Sequence, residues 1–445
     1  MTGEFPEFFE GVGTIAYAGP DSDDPLAYRW YDENRVVRGR TLREHLRMAV
    51  CYWHSFNWDG FDIFGEGTLD RPWLDAAADP MAAAEQKMAA AFEFISKLGV
   101  PFWTFHDFDI APEGATFAES AANLDRMAEL AAGHQERTGI ELLWGTAKLF
   151  ANRRYMAGAA TNPDPEVFAY AAAQVAHCMD VTHRLGGHNY VLWGGREGYD
   201  TMLNTDLGRE QDQLARFLHL VVEHKQRLGF AGMILLEPKP FEPVKHQYDH
   251  DVAAVYAFLQ RYDLADEIKV NIEVNHATLA GYDFAHEIAV AQQAGIFGSV
   301  DANSGDDRLG WDLDRFPMSA EVMTLGMLEL LRGGGFTTGG FNFDAKLRRQ
   351  SIARDDLFRA HIAGIDTLAR ATVVAAAILE HGEVDEFRRN RYAAWDGDFG
   401  KQLLAGEHSF ADLRARAETA TEPQPVSGRQ EHLEAIVNRF LGSAR

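Results

Sequence analysis

The chain has 445 residues, 46% of them apolar and 24% charged, a globular composition that excludes global disorder. Its 42 Lys and Arg against 67 Asp and Glu leave a formal net charge of −25, which argues against nucleic acid and against anionic membrane surfaces as partners. Cys51 and Cys178 are the only cysteines and both sit in apolar runs, so a reducing, cytoplasmic setting is expected and a disulfide framework is not. The opening MTGEFPEFFEGV lacks the basic and apolar regions of a signal peptide, and no uninterrupted apolar run reads as a membrane span.

Residues 1–46 carry turn signals in GPDSDDP and YDENRVVRGR and read as an extension wrapped on a larger body. From there, short β-prone runs alternate with helical stretches. The strands expected are VCYWHSF (50–56), VPFWTFHD (100–107), ELLWGTA (141–147), NYVLWGG (189–195), GMILLEPK (232–239), IKVNIEVNH (268–276), IFGSVDAN (296–303) and GFNFDAK (340–346). Between them lie stretches such as DPMAAAEQKMAAAFEFISKLG and DLGREQDQLARFLHLVVEHKQRLG, with apolar residues at i, i+3 and i+4. Gly99, Gly186 and Gly229 stand where helices should stop.

Strands that are apolar throughout and separated by helices belong to a parallel sheet covered on both faces. A closed (β/α)8 TIM barrel over residues 47–380 is the expected α/β fold. The competing open sheet would carry a glycine-rich phosphate turn after its first strand, where this chain reads WHSFNWDG. Residues 381–445 are charged and amphipathic, with a break at TEPQPVSG, and read as a helical oligomerisation arm.

Polar residues gather where the proposed strands end: His106 and Asp109, Glu237 and Lys239, Glu273 and His276, Asp301 and Asn303, Asp344, and Asp306, Asp312 and Asp314 in the loop after the seventh strand. In a barrel these ends meet at one mouth. Any one of these acids reads most simply as a surface carboxylate. Glu237, Glu273, Asp301, Asp312, Asp314 and Asp344 around one cavity, offset there by Lys239, instead call for cations. Two divalent ions would balance the site, with Glu273 placed to bridge them. The oxygen-rich donor set favours Mg2+ or Mn2+, with His276 admitting Mn2+ or Co2+, and disfavours zinc. Trp53, Trp58, Phe64 and Trp193, at or after strand ends, are either a core cap or an apolar wall of the cavity. No P-loop, HExxH or GxSxG occurs.

The segments LLEPKP, KVNIEVNHATLAG, GSVDANSGD, LGWDLDRFP, GGFNFDAKLRRQS, FHDFDIAPEG and YVLWGGREGY closely resemble xylose isomerase, and REHLRMAVCYWHSFNWDGFDIFG resembles its longer-chain, class II branch. The similarity runs from about residue 9 to beyond residue 430. It implies a homotetramer, with D-xylose and D-xylulose as the substrate pair and D-glucose and D-fructose as a second. It implies one metal site of Glu237, Glu273, Asp301 and Asp344 and another of Glu273, His276, Asp312 and Asp314. His106 and Asp109 become the catalytic pair for ring opening, and Lys239 the lysine that meets substrate. Trp53 and Trp193 line the sugar pocket, and Phe64 is lent to a neighbouring subunit's site. The implied reaction is a metal-assisted 1,2-hydride shift. The chain departs from the family pattern at Tyr282 and Asp283, in GYDFAHE, and at Ser304, in DANSGD. A related isomerase for another aldose, and a metal-loaded sugar binder without catalysis, are the alternative readings.

Overall fold

The protein is described by a computed structural model over residues 6–75 and 79–443, so the first five residues of the extension and the last two of the arm lie outside the described residues. Eight apolar runs form β1 (Ala49–Cys51), β2 (Phe102–His106), β3 (Glu141–Thr146), β4 (Asn189–Trp193), β5 (Met233–Glu237), β6 (Ile268–Glu273), β7 (Phe297–Asp301) and β8 (Phe341–Phe343). Each strand pairs in parallel with the next, and β8 closes on β1 through Asn342 opposite Ala49 and Phe343 opposite Val50. This is the expected (β/α)8 barrel.

The helices follow in step: α1 (Pro80–Leu98), α2 (Phe117–Thr138), α3 (Pro165–Arg184), α4 (Leu207–Leu228), α5 (Val252–Arg261), α6 (Phe284–Gln293), α7 (Ala320–Arg332) and α8 (Asp356–His381). Asp79, Thr116, Asp164, Asp206, Asp251 and Ser319 accept backbone N–H groups at the starts of α1 to α5 and α7. Each such cap stabilises its helix by about 1 kcal/mol. Gly99 and Gly229 end α1 and α4 in the left-handed conformation, at φ 78° and 69°, as the sequence pattern requires. α8 is long and apolar enough to cross a membrane by length and composition, unlike any run singled out in the sequence. In the fold, Leu357, Phe358, Ile365, Leu368, Val374 and Ile378 of this helix are buried.

All eight strands end before their expected last residue, and three of them turn at once into helix. β1 ends at Cys51 and Trp53–Asn57 is a turn of π-helix; β2 ends at His106 and Asp107–Ile110 is helical; β6 ends at Glu273 and Val274–Leu279 is helical. Beyond the barrel rim a β-prone residue has no neighbouring strand to pair with, and its N–H and C=O groups are satisfied within a local turn instead. The turns matter because they set the spacing of side chains that face the mouth.

The N-terminal extension lies against the barrel. Phe9 is buried, with its ring 5.4 Å from Trp73 and 5.2 Å from Phe358, and the N–H groups of Arg29, Trp30 and Tyr31 all donate to Asp366 of α8. After α8 come α9 (Glu383–Tyr392), α10 (Asp398–Leu404), α11 (Phe410–Thr419) and α12 (Gln430–Ser443). α9 and α11 bury no side chain, whereas α12 returns to the body with Ile436 and Val437 buried.

Candidate active site

The barrel strands end in chemistry. His106, Trp193, Glu237, Glu273 and Asp301 are the last residues of β2, β4, β5, β6 and β7, and Asp344 stands one past β8. His106, Trp193, Glu237, Lys239, Glu273, His276, Asp312, Asp314 and Asp344 line one cavity of about 410 Å³, together with Trp53. Asp301 is fully buried and accepts hydrogen bonds from Asn342 and Asn271, each at 2.9 Å. Asp109 lies behind His106, and Phe64 is 88% exposed on its loop and does not reach the cavity of its own chain.

The carboxylates fall into two groups that share Glu273. Oxygens of Glu237, Glu273, Asp301 and Asp344 lie within 4.8 Å of one another, as do those of Glu273, Asp312 and Asp314. His276, one helical turn after Glu273, brings its Nε2 to 3.2 Å from Glu273 and 3.0 Å from Asp312, while its Nδ1 has no hydrogen-bond partner. The residues of both expected sets are thus brought together, with His276 reaching toward Glu237 as well, its Nδ1 3.7 Å from Glu237 Oε1. Asparagines orient them: Asn271 donates to Glu237 at 3.0 Å as well as to Asp301, and Asn303 donates to Glu273 at 2.7 Å. Asn275 also donates to Asp312. Asn271 escaped the sequence reading, although an Asn inside the apolar strand IKVNIE was a signal for it.

Burial and mutual repulsion shape the titration of this cluster. Burial, then Asp301 and Asp344, push Glu237 well above the ordinary carboxylate range; burial, then Asp312 and Asp344, do the same to Glu273. Asp301 is pushed up to about 8 by burial and by Asp344. Burial would also raise Asp312 and Asp344, but His276 and Lys239 hold the first down, and His54 the second. His54 joins Asp344 at 2.9 Å and Asp314 at 3.2 Å, and these acids outweigh its burial to lift it to about 9. Lys346 donates to Asp314 at 2.8 Å. Asp314 itself adopts φ 45°, a left-handed conformation that costs a non-glycine residue about 1 kcal/mol or more. Buried oxygen donors with excess negative charge, plus one unpartnered imidazole nitrogen, fit a pair of hard divalent cations.

A second group faces them. His106 Nδ1 lies 2.8 Å from Asp109 Oδ2, and Lys148 Nζ donates to Asp109 Oδ1 at 2.7 Å. The Trp53 ring lies 4.5 Å from that of His106, with its indole N–H donating to Asp344 at 2.8 Å. Phe150 completes this wall, 5.6 Å from His106 and 4.6 Å from Trp193. Lys239 is buried, 5.2 Å from the Trp193 ring centroid, and donates to Asp312 at 2.7 Å. His54, Lys148, Phe150 and Lys346 were not singled out in the sequence. The departures lie off the cavity: Tyr282 stacks on His286 at 4.9 Å, Asp283 precedes α6, and Ser304 exchanges backbone hydrogen bonds with Arg315.

A parallel barrel with a carboxylate-rich mouth, two overlapping acidic groups that could hold cations and an adjoining His–Asp pair defines the class, a (β/α)8 protein with a polar cavity at its strand ends. The chain is 58% identical to a xylose isomerase of Paraburkholderia xenovorans and to one of Burkholderia vietnamiensis, in each case over 98% of this chain and the whole of the relative. It belongs to the xylose isomerase family. A family model described as the XylA2 C-terminal domain matches residues 388–441, the stretch from α9 to α12. A solved structure from Rhodospirillum rubrum shares the fold at 14% identity, with a TM-score of 0.51 over 73% of this chain and 98% of its own.

Proposed function

We propose that the protein is an aldose–ketose isomerase that interconverts D-xylose and D-xylulose, with D-glucose and D-fructose as a second pair. The observation that carries this is the meeting, in one cavity of about 410 Å³, of the acids, His276, Lys239 and His106, in a chain matched end to end by proteins named xylose isomerase. Glu237, Glu273, Asp301 and Asp344 would hold one divalent cation, and Glu273, His276, Asp312 and Asp314 the other. Mg2+ suits this oxygen-rich set, with Mn2+ or Co2+ as substitutes. When bound, the cations supply Lewis-acid polarisation of the sugar oxygens.

The chain's own groups account for the rest. His106 donates its Nδ1 proton to Asp109, which leaves Nε2 free to take the O1 proton of the cyclic sugar and pass it to the ring oxygen as the ring opens. Lys239 carries the positive charge that O1 requires as it gains electron density, and Asp312, Glu273 and Glu242 outweigh its burial to keep it protonated. Trp53, Phe150 and Trp193 keep water from the carbon skeleton, so that the C2 hydrogen passes to C1 without exchange. Aldose and ketose are isomers: one C–H bond breaks at C2, one forms at C1, and one proton moves between oxygens.

The exposed Phe64, beside an 91% exposed Ile63, suits a wall that closes a neighbouring subunit's cavity. We read the chain as part of a homotetramer, supported by that exposure and by the unburied helices α9 and α11 of the arm, and as cytoplasmic, a setting that its two free, buried cysteines suit. The test is chelator-stripped protein given C2-deuterated D-xylose with and without Mg2+, followed by NMR. Metal-dependent xylulose with deuterium retained at C1 is expected. Deuterium lost to solvent would refute direct transfer, and no product with any metal would refute the activity.

A further inference from the structure

Asp109 is 2% exposed and both of its carboxylate oxygens are committed, one to His106 and the other to Lys148. Lys148 follows β3 by two residues, and its backbone N–H donates to Asp107 Oδ1 at 2.9 Å, which fixes the root of the side chain. Burial would raise the Asp109 carboxyl, but Lys148 and then His106 outweigh it and hold Asp109 well below the usual carboxylate range. Three other titratable groups face this pair. Asp107 adjoins it on the same turn, pushed up to about 6 by burial. Lys87 of α1, pushed down to about 8 by burial, sits 5.6 Å from the Tyr52 ring, and both Lys87 and Tyr52 feel the Asp109 charge. Lys148 alone among these puts an ammonium in hydrogen-bond contact with Asp109.

A carboxylate facing an imidazole has two effects. It orients the ring, and it stabilises the imidazolium. The first helps a proton acceptor and the second disables it, because a ring already protonated cannot take the O1 proton. We propose that Lys148 is a positioning residue for the ring-opening pair: it pins Asp109 in place and offsets its charge, so that Asp109 orients the His106 ring without gripping its proton as tightly. The assignment rests on the isomerase reading above.

The test compares the pH profile of kcat/KM for D-xylose, with Mg2+ saturating, in wild type, Lys148→Met and Lys148→Arg. With Lys148→Met, Asp109 holds the His106 proton more tightly, so the acid limb moves up by about one pH unit and activity at the foot of that limb falls roughly tenfold. Lys148→Arg restores the charge and returns the limb to its wild-type position. A purely structural lysine would lower kcat/KM at every pH without moving the limb. Coincident limbs in active wild type and Lys148→Met overturn the assignment and leave the isomerase reading standing. A wild type inert to xylose overturns the isomerase reading itself. If Lys148→Met fails to fold, Lys148→Gln removes the same charge with a polar side chain and carries the same comparison.

Discussion

Glu273→Gln tests the shared carboxylate in both directions at once. The substitution keeps volume and removes the one carboxyl shared by both donor groups. Within each group the oxygens lie no more than 4.8 Å apart. At an effective dielectric of about 20, two like charges at that distance cost about 3.5 kcal/mol. Without cations, His54, Lys239 and protonation offset only part of this, so chelator-stripped Glu273→Gln should melt above stripped wild type by about 2–5 °C. With cations the sign reverses, because the variant has lost a ligand to both ions. Orientation adds a further detail. Asn303 donates to Glu273 Oε1 at 2.7 Å, which selects the amide oxygen for that side and turns the amide NH2 toward His276 and Asp312. The second donor set therefore suffers more than the first. Bound metal should fall from two ions per chain to one or fewer, and turnover should fall by more than the roughly 10–100-fold typical of losing an outer partner. Calorimetry on stripped and Mg2+-loaded protein, with elemental analysis, reads all of this. A stripped variant that melts below stripped wild type, or equal protection of both by Mg2+, would refute the reasoning.

Lys239→Met should keep both metal ions by elemental analysis yet lower kcat at least about a hundredfold, since the ammonium that meets O1 is gone; normal turnover would remove Lys239 from the reaction. Phe410 is 93% exposed on α11, so if the proposed tetramer packs through the arm, Phe410→Asp should leave the barrel's near-UV circular dichroism intact while sedimentation velocity shows a smaller mass than wild type; an unchanged mass would count against packing through Phe410. His361 is fully buried among Phe94, Phe316 and Phe343, and burial pushes it down from 6.5 to about 3. The unfolded chain takes up this proton near pH 6.5 and the fold does not, so stability is complete above 6.5 and is lost as pH falls toward 3, at about 1.4 kcal/mol per unit. His361→Leu should therefore lose about 2 kcal/mol less than wild type between pH 6.5 and pH 5; parallel losses on calorimetry would show that His361 does not carry the linkage.

The barrel was legible because most βα units repeat the same local signals: an apolar run, a capping residue, an amphipathic helix and often a glycine stop. The acids were legible because a barrel brings all strand ends to one mouth, so that position along a strand becomes position in space. The residues that escaped notice lack such a rule. His54 follows β1, but its partners Asp314 and Asp344 come from the far end of the chain, and nothing in WHSF announces them. Lys148 and Lys346 sit in short loops where a lysine is ordinarily solvent-facing, and only the fold shows which acid each one meets. The strand ends at His106 and Glu273 were overrun for a different reason. Apolar content continues past the rim, whereas pairing partners do not, and periodicity senses only the first. The part proposed for Phe64 comes from the family resemblance alone, since its own chain shows only an exposed ring.

The helical turns after β2 and β6 also govern how this sequence can change in length. One residue inserted between Glu273 and His276 would swing the imidazole about 100° around the turn and move it about 1.5 Å along it, away from Asp312. The same holds between His106 and Asp109. The loop that carries Asp312 and Asp314 obeys another rule. Ser304 and Arg315 exchange backbone hydrogen bonds of 2.7 and 3.2 Å across its base, Asp314 adjoins that clasp and Asp312 is held by Lys239 and Glu242, while Leu309 and Trp311 project into solvent. Residues gained or lost near Leu309 lengthen or shorten a hairpin tip without moving its root. Natural length variation should therefore collect at that tip and spare the three-residue spacings, and the tip is where the mouth of the cavity can be reshaped while the ligands keep their register.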